Sequence, residues 1–290
     1  MSKEKVFKIS DDEIKRMYLE GKSMNDIAKV AQDTRGLMAL RNRLLKLGVS
    51  TVKDMRKYRY KISTACKRYK LNEHVFDVID TEEKAYWLGW LFSDGYNQSS
   101  KCRVALRLQE EDVEILYKFQ KFLQTDAPIH TYKRTTKINS LNRNYNELLL
   151  CSPYLSERLA ELGCVQAKTL ILSFPNIPSN LYQHFIRGYF DGDGCFSVTS
   201  RKDRKNPDSK TYQFNIVGMP EVLLKIQDII VQNTGVKKLP LKTRARAKVK
   251  TLHYGGHNVC KKILDYLYKN ATIYLKRKYD KYCKYCISAE

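Results

Sequence analysis

The sequence predicts an α+β fold made of two similar halves, preceded by a small all-α domain. Two nine-residue segments, 87–95 and 186–194, are apolar helical stretches with Gly in third position and Asp-Gly at the end. From residue 80 onward the apolar spacing reads helix, two strands, helix, two strands, helix, and this pattern then repeats. Apolar residues at helical spacing before residue 50 predict the all-α domain.

Residues 1–52 are expected to form a helix-turn-helix DNA-binding domain. Ser10 and Glu13 form a capping box at the start of a first helix, and Ser23 can cap a second. A third helix has leucines at helical spacing: Leu37, Leu40, Leu44 and Leu47. In a helix-turn-helix the third helix enters the major groove, and its exposed readers would be Arg35, Met38, Arg41 and Asn42. The alternative is an ordinary three-helix domain that caps the rest of the protein and does not read DNA.

Residues 53–78 are expected to form a basic linker. Eight lysines and arginines lie between residues 53 and 70 against Asp54 alone, with tyrosines interleaved. Such a run is often only a solvated face, but between two DNA-binding units it can also track phosphates.

The composition of the chain indicates which kinds of partner it can bind. The chain of 290 residues has a net charge of +22, which favours a nucleic-acid backbone. We find no signal peptide and no apolar run of the roughly 20 residues needed to span a bilayer, so we expect a cytoplasmic protein without membrane partners. The eight cysteines are scattered, which is typical of free thiols in a reducing compartment. Cys283 and Cys286 have metal-ligand spacing but lack the second pair that tetrahedral zinc requires.

The first repeat is predicted to span residues 79–178. Asp80 or Thr81 caps its long apolar helix. A strand at 103–108 alternates between apolar residues on one face and Arg103 and Arg107 on the other. A helix at 112–123, strands at 129–134 and 145–150, and a helix at 155–162 follow.

The second repeat is predicted to span residues 179–290 on the same plan. A basic loop at 200–210 precedes a strand at 212–217 and a helix at 221–232. In the segment 242–251 every even position is basic: Lys242, Arg244, Arg246, Lys248 and Lys250. A strand of this period would put all five cations on one face of a sheet, where a ribbon can lie in the major groove of DNA.

Both apolar helices end in Asp-Gly, and this placement is unfavourable. A carboxylate at a helix C-terminus lies at the negative pole of the macrodipole, so Asp94 and Asp193 need a compensating positive charge. A metal ion held between two helix ends would supply it. An EF-hand is excluded because the twelfth position counted from Asp191 is Lys202 rather than Glu.

The two nine-residue segments resemble the motif of the LAGLIDADG homing endonucleases, and the resemblance covers roughly residues 80–290. Two copies of the motif are typical of the monomeric members of that family. The resemblance implies two αββαββα repeats that form a DNA-binding saddle, with the motif helices packed together along Gly89 and Gly188. It also implies metal ligation by Asp94 and Asp193 with the adjacent Gly95 and Gly194. The ions would be Mg²⁺ or Mn²⁺, two or three in number.

The resemblance implies further catalytic roles, and the basic strands and loops predict further DNA contacts. Lys168 and Lys278 are at the positions of basic residues that assist the family's reaction, or they contact phosphate. Gln109 is at the position of a polar active-site residue, and the second repeat has Gly218 at the corresponding position, so the half-sites would be unequal. DNA contacts are expected from Arg103, Arg107, Arg134, Arg201, Lys202, Arg204, Gln213, Asn215 and the basic residues of 242–251.

The resemblance therefore implies a site-specific, divalent-metal-dependent endonuclease that hydrolyses both strands of DNA across the minor groove. It would belong to a mobile intron, an intein or a phage element, and would bind a long specific target as a monomer. Two alternatives stay open: a non-catalytic DNA-binding transcription regulator derived from the same fold, and an RNA maturase for intron splicing.

Overall fold

The structure is a computed structural model that describes residues 9–20, 22, 24–31, 40, 43–44, 47, 69–135, 142–165, 173–200, 209–243 and 249–287. Its internal contacts divide the chain into two compact units, Met1–Ala65 and Cys66–Glu290. Among the described residues, no helix combines the length and the apolar character that crossing a membrane requires.

The first unit contains helices α1 (Asp11–Leu19) and α2 (Met24–Val30). The Ser10 hydroxyl accepts a hydrogen bond from the Glu13 amide at 3.2 Å, which is the N-terminal cap that the sequence predicted. A small apolar cluster holds the unit together: Ile14, Met17, Tyr18, Ile27, Leu40 and Leu44. The expected DNA-reading positions Arg35, Met38, Arg41 and Asn42 lie outside the described residues, as does Ser23.

Two repeats of αββαββα order make up the second unit. The elements of the first repeat are α3 (Glu82–Ser93), β1 (Gly95–Gln98), β2 (Arg103–Gln109), α4 (Val113–Phe122), β3 (Ile129–Thr135), β4 (Asn142–Cys151) and α5 (Pro153–Glu161). Those of the second are α6 (Tyr182–Asp193), β5 (Gly194–Ser200), β6 (Lys210–Gly218), α7 (Pro220–Thr234), β7 (Lys242–Thr243), β8 (Lys250–Gly255), α8 (His257–Tyr268) and α9 (Lys276–Tyr282). The strand orders β1-β2-β4-β3 and β5-β6-β8-β7 are equivalent, so the predicted duplication is confirmed.

The two motif helices, α3 and α6, pack against each other through glycine. A Cβ on Gly89 would lie 2.2 Å from the Phe185 carbonyl oxygen, and one on Gly188 would lie 2.0 Å from that of Tyr86. Both distances are far below van der Waals contact, so only glycine permits this backbone approach. The surrounding core is apolar and aromatic, with Trp87, Trp90 and Phe190 almost fully buried.

Each sheet buries one face and leaves the other open. In the second sheet, Phe214, Ile216, Leu252 and Tyr254 are buried, and α7 and α8 contact the strands that bear them. Because side chains alternate along a strand, the neighbours of these residues lie on the open face. This arrangement places polar residues on one exposed surface in each repeat.

The prediction of one continuous strand over residues 242–251 is wrong. The segment contributes two antiparallel strands, β7 and β8, in which Lys242 pairs with Thr251 and Thr243 pairs with Lys250. Directly opposed residues share a face, so Lys242 and Lys250 lie on opposite faces of the sheet. The chain reverses within the alternating stretch, and a period of two cannot reveal such a reversal. Residues 244–248 lie outside the described residues.

Polar side chains tie the two repeats together beside the motif helices. The buried Arg187 guanidinium donates to Glu82 at 2.5 Å and to the carbonyl oxygens of Leu267 and Ile273. Farther along, Arg277 of α9 makes a bidentate pair with Asp112 of the first repeat, with N···O distances of 2.7 and 2.8 Å. These contacts fix the position of one repeat relative to the other.

Candidate metal and nucleic-acid site

The C-terminal ends of α3 and α6 bring the two motif acids to one place. Asp94 is the C-cap of α3, and its amide donates to the Trp90 carbonyl at 3.0 Å. Asp193 is the last residue of α6, and both acids are exposed. A Cβ on Gly192 would lie 2.9 Å from Asp94 Oδ2 and 1.9 Å from Ser93 Oγ. The Asp94 carboxylate therefore lies against the residue that immediately precedes Asp193.

The Tyr189 phenol is a neighbour of both carboxylates. Burial raises its pKa above the ordinary value, and the negative charges of Asp193 and Asp94 raise it further. The hydroxyl extends to β6, where it would lie 2.3 Å from a Cβ on Gly218. A single buried group thus experiences the field of one acid from each repeat, which indicates that the two carboxylates are close together.

Lys278 is placed differently from its predicted role. Its ammonium is buried and donates to the carbonyl oxygens of Phe190, Asp191 and Gly194 at 2.6, 2.8 and 2.6 Å. Burial lowers its pKa to about 8, so the group stays protonated at neutral pH. A cation at a helix C-terminus is favourable, and Lys278 supplies that charge to α6. With three acceptors on its three protons, it is directed at the backbone and not at a phosphate.

The same contact bears on the glycines expected to ligate metal. The Gly194 carbonyl oxygen accepts from the Lys278 ammonium at 2.6 Å, which engages one of its two lone pairs, and metal ligation by this glycine stays a prediction. Gly95 directly follows Asp94, at the buried start of β1.

Asp191, the sixth residue of the second motif, lies in the interior. Its carboxylate accepts from the Tyr86 hydroxyl at 2.9 Å, the Tyr268 hydroxyl at 2.5 Å and the Leu275 amide at 2.8 Å. Burial raises its pKa, while the nearby Lys278 charge and these hydrogen bonds oppose the rise. This carboxylate joins the two repeats and holds the chain that leads into α9.

The sheet register corrects the match made for Gln109. Gly95 pairs with Leu106, and the equivalent Gly194 pairs with Ile216. Counting onward, the counterpart of Gln109 is Met219, and Gly218 corresponds to Leu108. Gln109 is exposed at the end of β2, whereas Met219 packs against the core. The two repeats therefore differ at this position, and spacing along the sequence misplaced the counterpart by one residue.

On the open face of the first sheet, Arg103 and Arg107 are exposed. Arg107 makes a 2.7 Å ion pair with the mostly buried Glu147, directly opposite on β4, and its guanidinium lies 5.5 Å from the centre of the Tyr132 ring. This orients the guanidinium on the sheet. Arg134 is opposite Arg143 on the outer strand pair.

On the open face of the second sheet, the register places Gln213, Asn215 and Lys242 together. Lys250 lies on the other face, opposite Gly218. His253, which the sequence interpretation missed, faces Asn215 across the sheet, and only strand pairing could have revealed this. The remaining expected contacts lie outside the described residues: Lys168, Arg201, Lys202, Arg204, Arg244, Arg246, Lys248 and the helix-turn-helix readers.

In the part of the chain that the structure describes, no group of three or more His, Cys, Asp or Glu side chains could hold a metal ion. Two carboxylates alone suit Mg²⁺, which usually takes one or two of them and completes its shell with water and substrate phosphate oxygens. The residues present therefore fit an ion that is shared with a nucleic acid. Cys283 and Cys286 lie in a π-helical turn, with Cys286 buried.

Comparison with known proteins finds a matching family model, a similar protein sequence and similar solved structures. Residues 186–289 match the LAGLIDADG endonuclease family model. A stretch of 152 residues, 51% of this chain, is 28% identical to reverse gyrase from Methanocaldococcus jannaschii and covers 8% of that protein.

Similar solved structures include the meganuclease I-SmaMI bound to uncleaveable DNA, with a TM-score of 0.47, 12% identity, and coverage of 71% of this chain and 91% of that one. The I-LtrWI homing endonuclease bound to target DNA gives a TM-score of 0.46 and 13% identity over 70% and 89% of the two chains. Full-length DUF199/WhiA from Thermatoga maritima gives a TM-score of 0.45 and 14% identity, and the match covers 75% of this chain and 65% of that one. The family match includes the second motif, so the resemblance predicted from the sequence is confirmed over residues 186–289.

Proposed function

We propose that this protein is a site-specific endonuclease that hydrolyses one phosphodiester in each strand of double-stranded DNA, with divalent metal. The observation that carries the proposal is the meeting of Asp94 and Asp193 at adjoining helix ends, one from each repeat. Two half-sites related by an internal duplication suit the two strands of a duplex. Since one chain supplies both acids, the active form is a monomer.

The proposed roles of the residues follow from their positions. Asp94 and Asp193 would hold Mg²⁺ or Mn²⁺, two or three ions in number, together with the DNA phosphates. Bound divalent metal activates water as a nucleophile and stabilises the leaving oxygen. Lys278 neutralises the negative pole of α6 and thereby lowers the local negative charge around Asp193. Gln109 serves only the first half-site, so the two strands are cut at unequal rates.

Binding is assigned to the open sheet faces. Arg103 and Lys242 are exposed cations on these faces, and Gln213 and Asn215 offer hydrogen bonds to base edges. With a net charge of +22, phosphate contacts would supply most of the affinity and make it dependent on salt. The N-terminal unit and the basic segment after it extend the target.

The test separates binding from cutting. A randomised duplex library is incubated with protein and Mg²⁺, and the cleaved ends are sequenced to define a target. Asp94→Asn and Asp193→Asn should each slow cutting of at least one strand by about 100-fold or more, as loss of one charge-stabilising group usually does. The products would then be nicked or intact duplex.

Binding of the same target is measured with Ca²⁺ in place of Mg²⁺. Cys195 lies exposed on β5, opposite Asn215, so its alkylation should be slowed when DNA covers the sheet. Both Asn variants should retain this protection. Unimpaired cutting by both variants would refute the assignment of the acids. Tight binding of a duplex without cutting would establish the regulator instead, and binding of intron RNA in preference to duplex would establish the maturase.

A further inference from the structure

Asn215 and His253 form a hydrogen-bonded pair on the open face of the second sheet. They lie directly opposite each other on β6 and β8, and the His253 imidazole donates from Nδ1 to Asn215 Oδ1 at 2.6 Å. Both side chains are half-buried. The pair is therefore held in one arrangement by the strands beneath it.

The hydrogen bond fixes what each side chain offers outward. An amide oxygen can only accept, so the ring proton is on Nδ1. Burial lowers the pKa of His253, and the neighbouring Lys242 charge lowers it further, so the ring is neutral at pH 7 and its Nε2 is an acceptor. With Oδ1 engaged, Asn215 offers its Nδ2 protons. The pair thus presents one donor and one acceptor from two residues.

The open face leaves room for a base at this point. Position 255, the next residue on the same face of β8, is glycine, and a Cβ there would lie 4.0 Å from His253 Nε2. Gly255 pairs with Gln213, so a polar side chain borders the gap. In the described part of the chain, the atoms within 4 Å of that Cβ position are His253 Nε2 and the Tyr212 carbonyl oxygen.

The pattern of hydrogen-bond donors and acceptors on each base edge in the major groove determines which base this pair can bind. Adenine presents an acceptor at N7 beside a donor at N6, guanine presents two acceptors, and cytosine presents a donor alone. Asparagine usually reads adenine by itself with both amide atoms, but here Oδ1 is taken by the ring. His253 Nε2 replaces that oxygen, and it would repel the O6 acceptor of guanine.

We propose that Asn215 and His253 act together as the reader of one adenine in the target, with Asn215 donating to N7 and His253 accepting from the N6 amino group. The inference rests on the proposed DNA binding. One well-placed bidentate contact discriminates against the wrong base by about 5- to 150-fold, converted from roughly 1–3 kcal/mol.

The experiment uses the full chain in Ca²⁺, so that cleavage is not needed. Wild-type protein selects its target from a randomised duplex library, and each variant is then measured against single-base changes. Asn215→Ala should flatten the adenine preference at one base pair and leave the others unchanged. His253→Lys should convert that preference to guanine, because a lysine can still donate to Asn215 Oδ1 while it offers guanine O6 a donor.

Two controls isolate the pair. Thr251→Lys places the same added charge on the same face, and it should raise affinity without changing the preferred base. Gln213→Ala should affect a different base pair. Circular dichroism of each variant confirms that the fold is intact.

If His253→Lys still prefers adenine while Asn215→Ala has lost that preference, then asparagine reads the base alone and the inference is overturned. A base other than adenine at the affected position would do the same. If the wild-type protein selects no duplex at all, the proposed function itself fails, and this failure is distinct from an unaltered preference in the variants.

Discussion

Gly188→Ala perturbs the contact on which both the fold and the site depend. The added methyl carbon would lie 2.0 Å from the Tyr86 carbonyl oxygen and 2.9 Å from its carbonyl carbon. Ordinary contact begins near 3.4 Å, so α3 and α6 would have to separate by about 1.4 Å. The neighbouring atoms are backbone of a buried helix and cannot move aside as a side-chain end could.

The magnitude follows from this geometry. Overpacking a core usually costs about 1–3 kcal/mol and occasionally more, and a clash with backbone lies at the upper end. Because a domain of this size changes in Tm by about 2–4 °C per kcal/mol, a destabilisation of about 3 kcal/mol lowers Tm by about 6–12 °C. Separation of the helix ends would also move Asp94 away from Asp193, so cutting should fall more than binding.

Thermal unfolding by circular dichroism measures the effect, with Gly255→Ala as the matched control. A Cβ at Gly255 would meet its nearest atom at 3.8 Å, so this variant should keep the wild-type Tm within about 2 °C, which corresponds to less than about 1 kcal/mol. If Gly188→Ala melts like Gly255→Ala, the close approach of the two helices is not as described, and the placement of the acids loses its basis.

Two further predictions concern the buried charges beneath the site. Lys278 loses its proton near pH 8 in the folded chain but near the ordinary lysine pKa when unfolded, so the unfolded state binds more protons between these values and stability rises with pH there. Wild type should therefore gain about 2 kcal/mol relative to Lys278→Met between pH 7 and pH 9.5, measured by urea unfolding; a difference that stays constant would show that the pKa is not lowered. Asp191→Ala leaves three buried donors without their acceptor, at about 1–3 kcal/mol each, and should lower Tm by at least about 6 °C. Its cutting rate per folded molecule should stay within about tenfold of wild type, and a loss as large as that of Asp193→Asn would instead place Asp191 in the metal site.

Much of the fold was predictable because local patterns determine it. The Ser10 and Thr81 caps, the alternation along β2 and the apolar helices each depend on residues within a few positions of one another. The hairpin of β7 and β8 was not predictable in this way, because a chain reversal inside an alternating basic segment leaves the period of two unchanged. The counterpart of Gln109 was misplaced for a related reason. Strand register sets which residues of the two repeats are equivalent, and counting residues along the sequence does not reveal a shift of one position.

The sequence by itself determined the duplication, the two glycines and the pair of acids at equivalent positions, since these are properties of residue identity and spacing. Only the tertiary structure decided how the charges are used. Lys278 and Asp191 are both charged residues close to the motif, yet one neutralises a helix end and the other joins the repeats, because their partners come from about 85 residues away along the chain. Asn215 and His253 likewise became a pair only when β6 and β8 were brought side by side. Long-range contacts of this kind depend on packing and register, which no local pattern encodes.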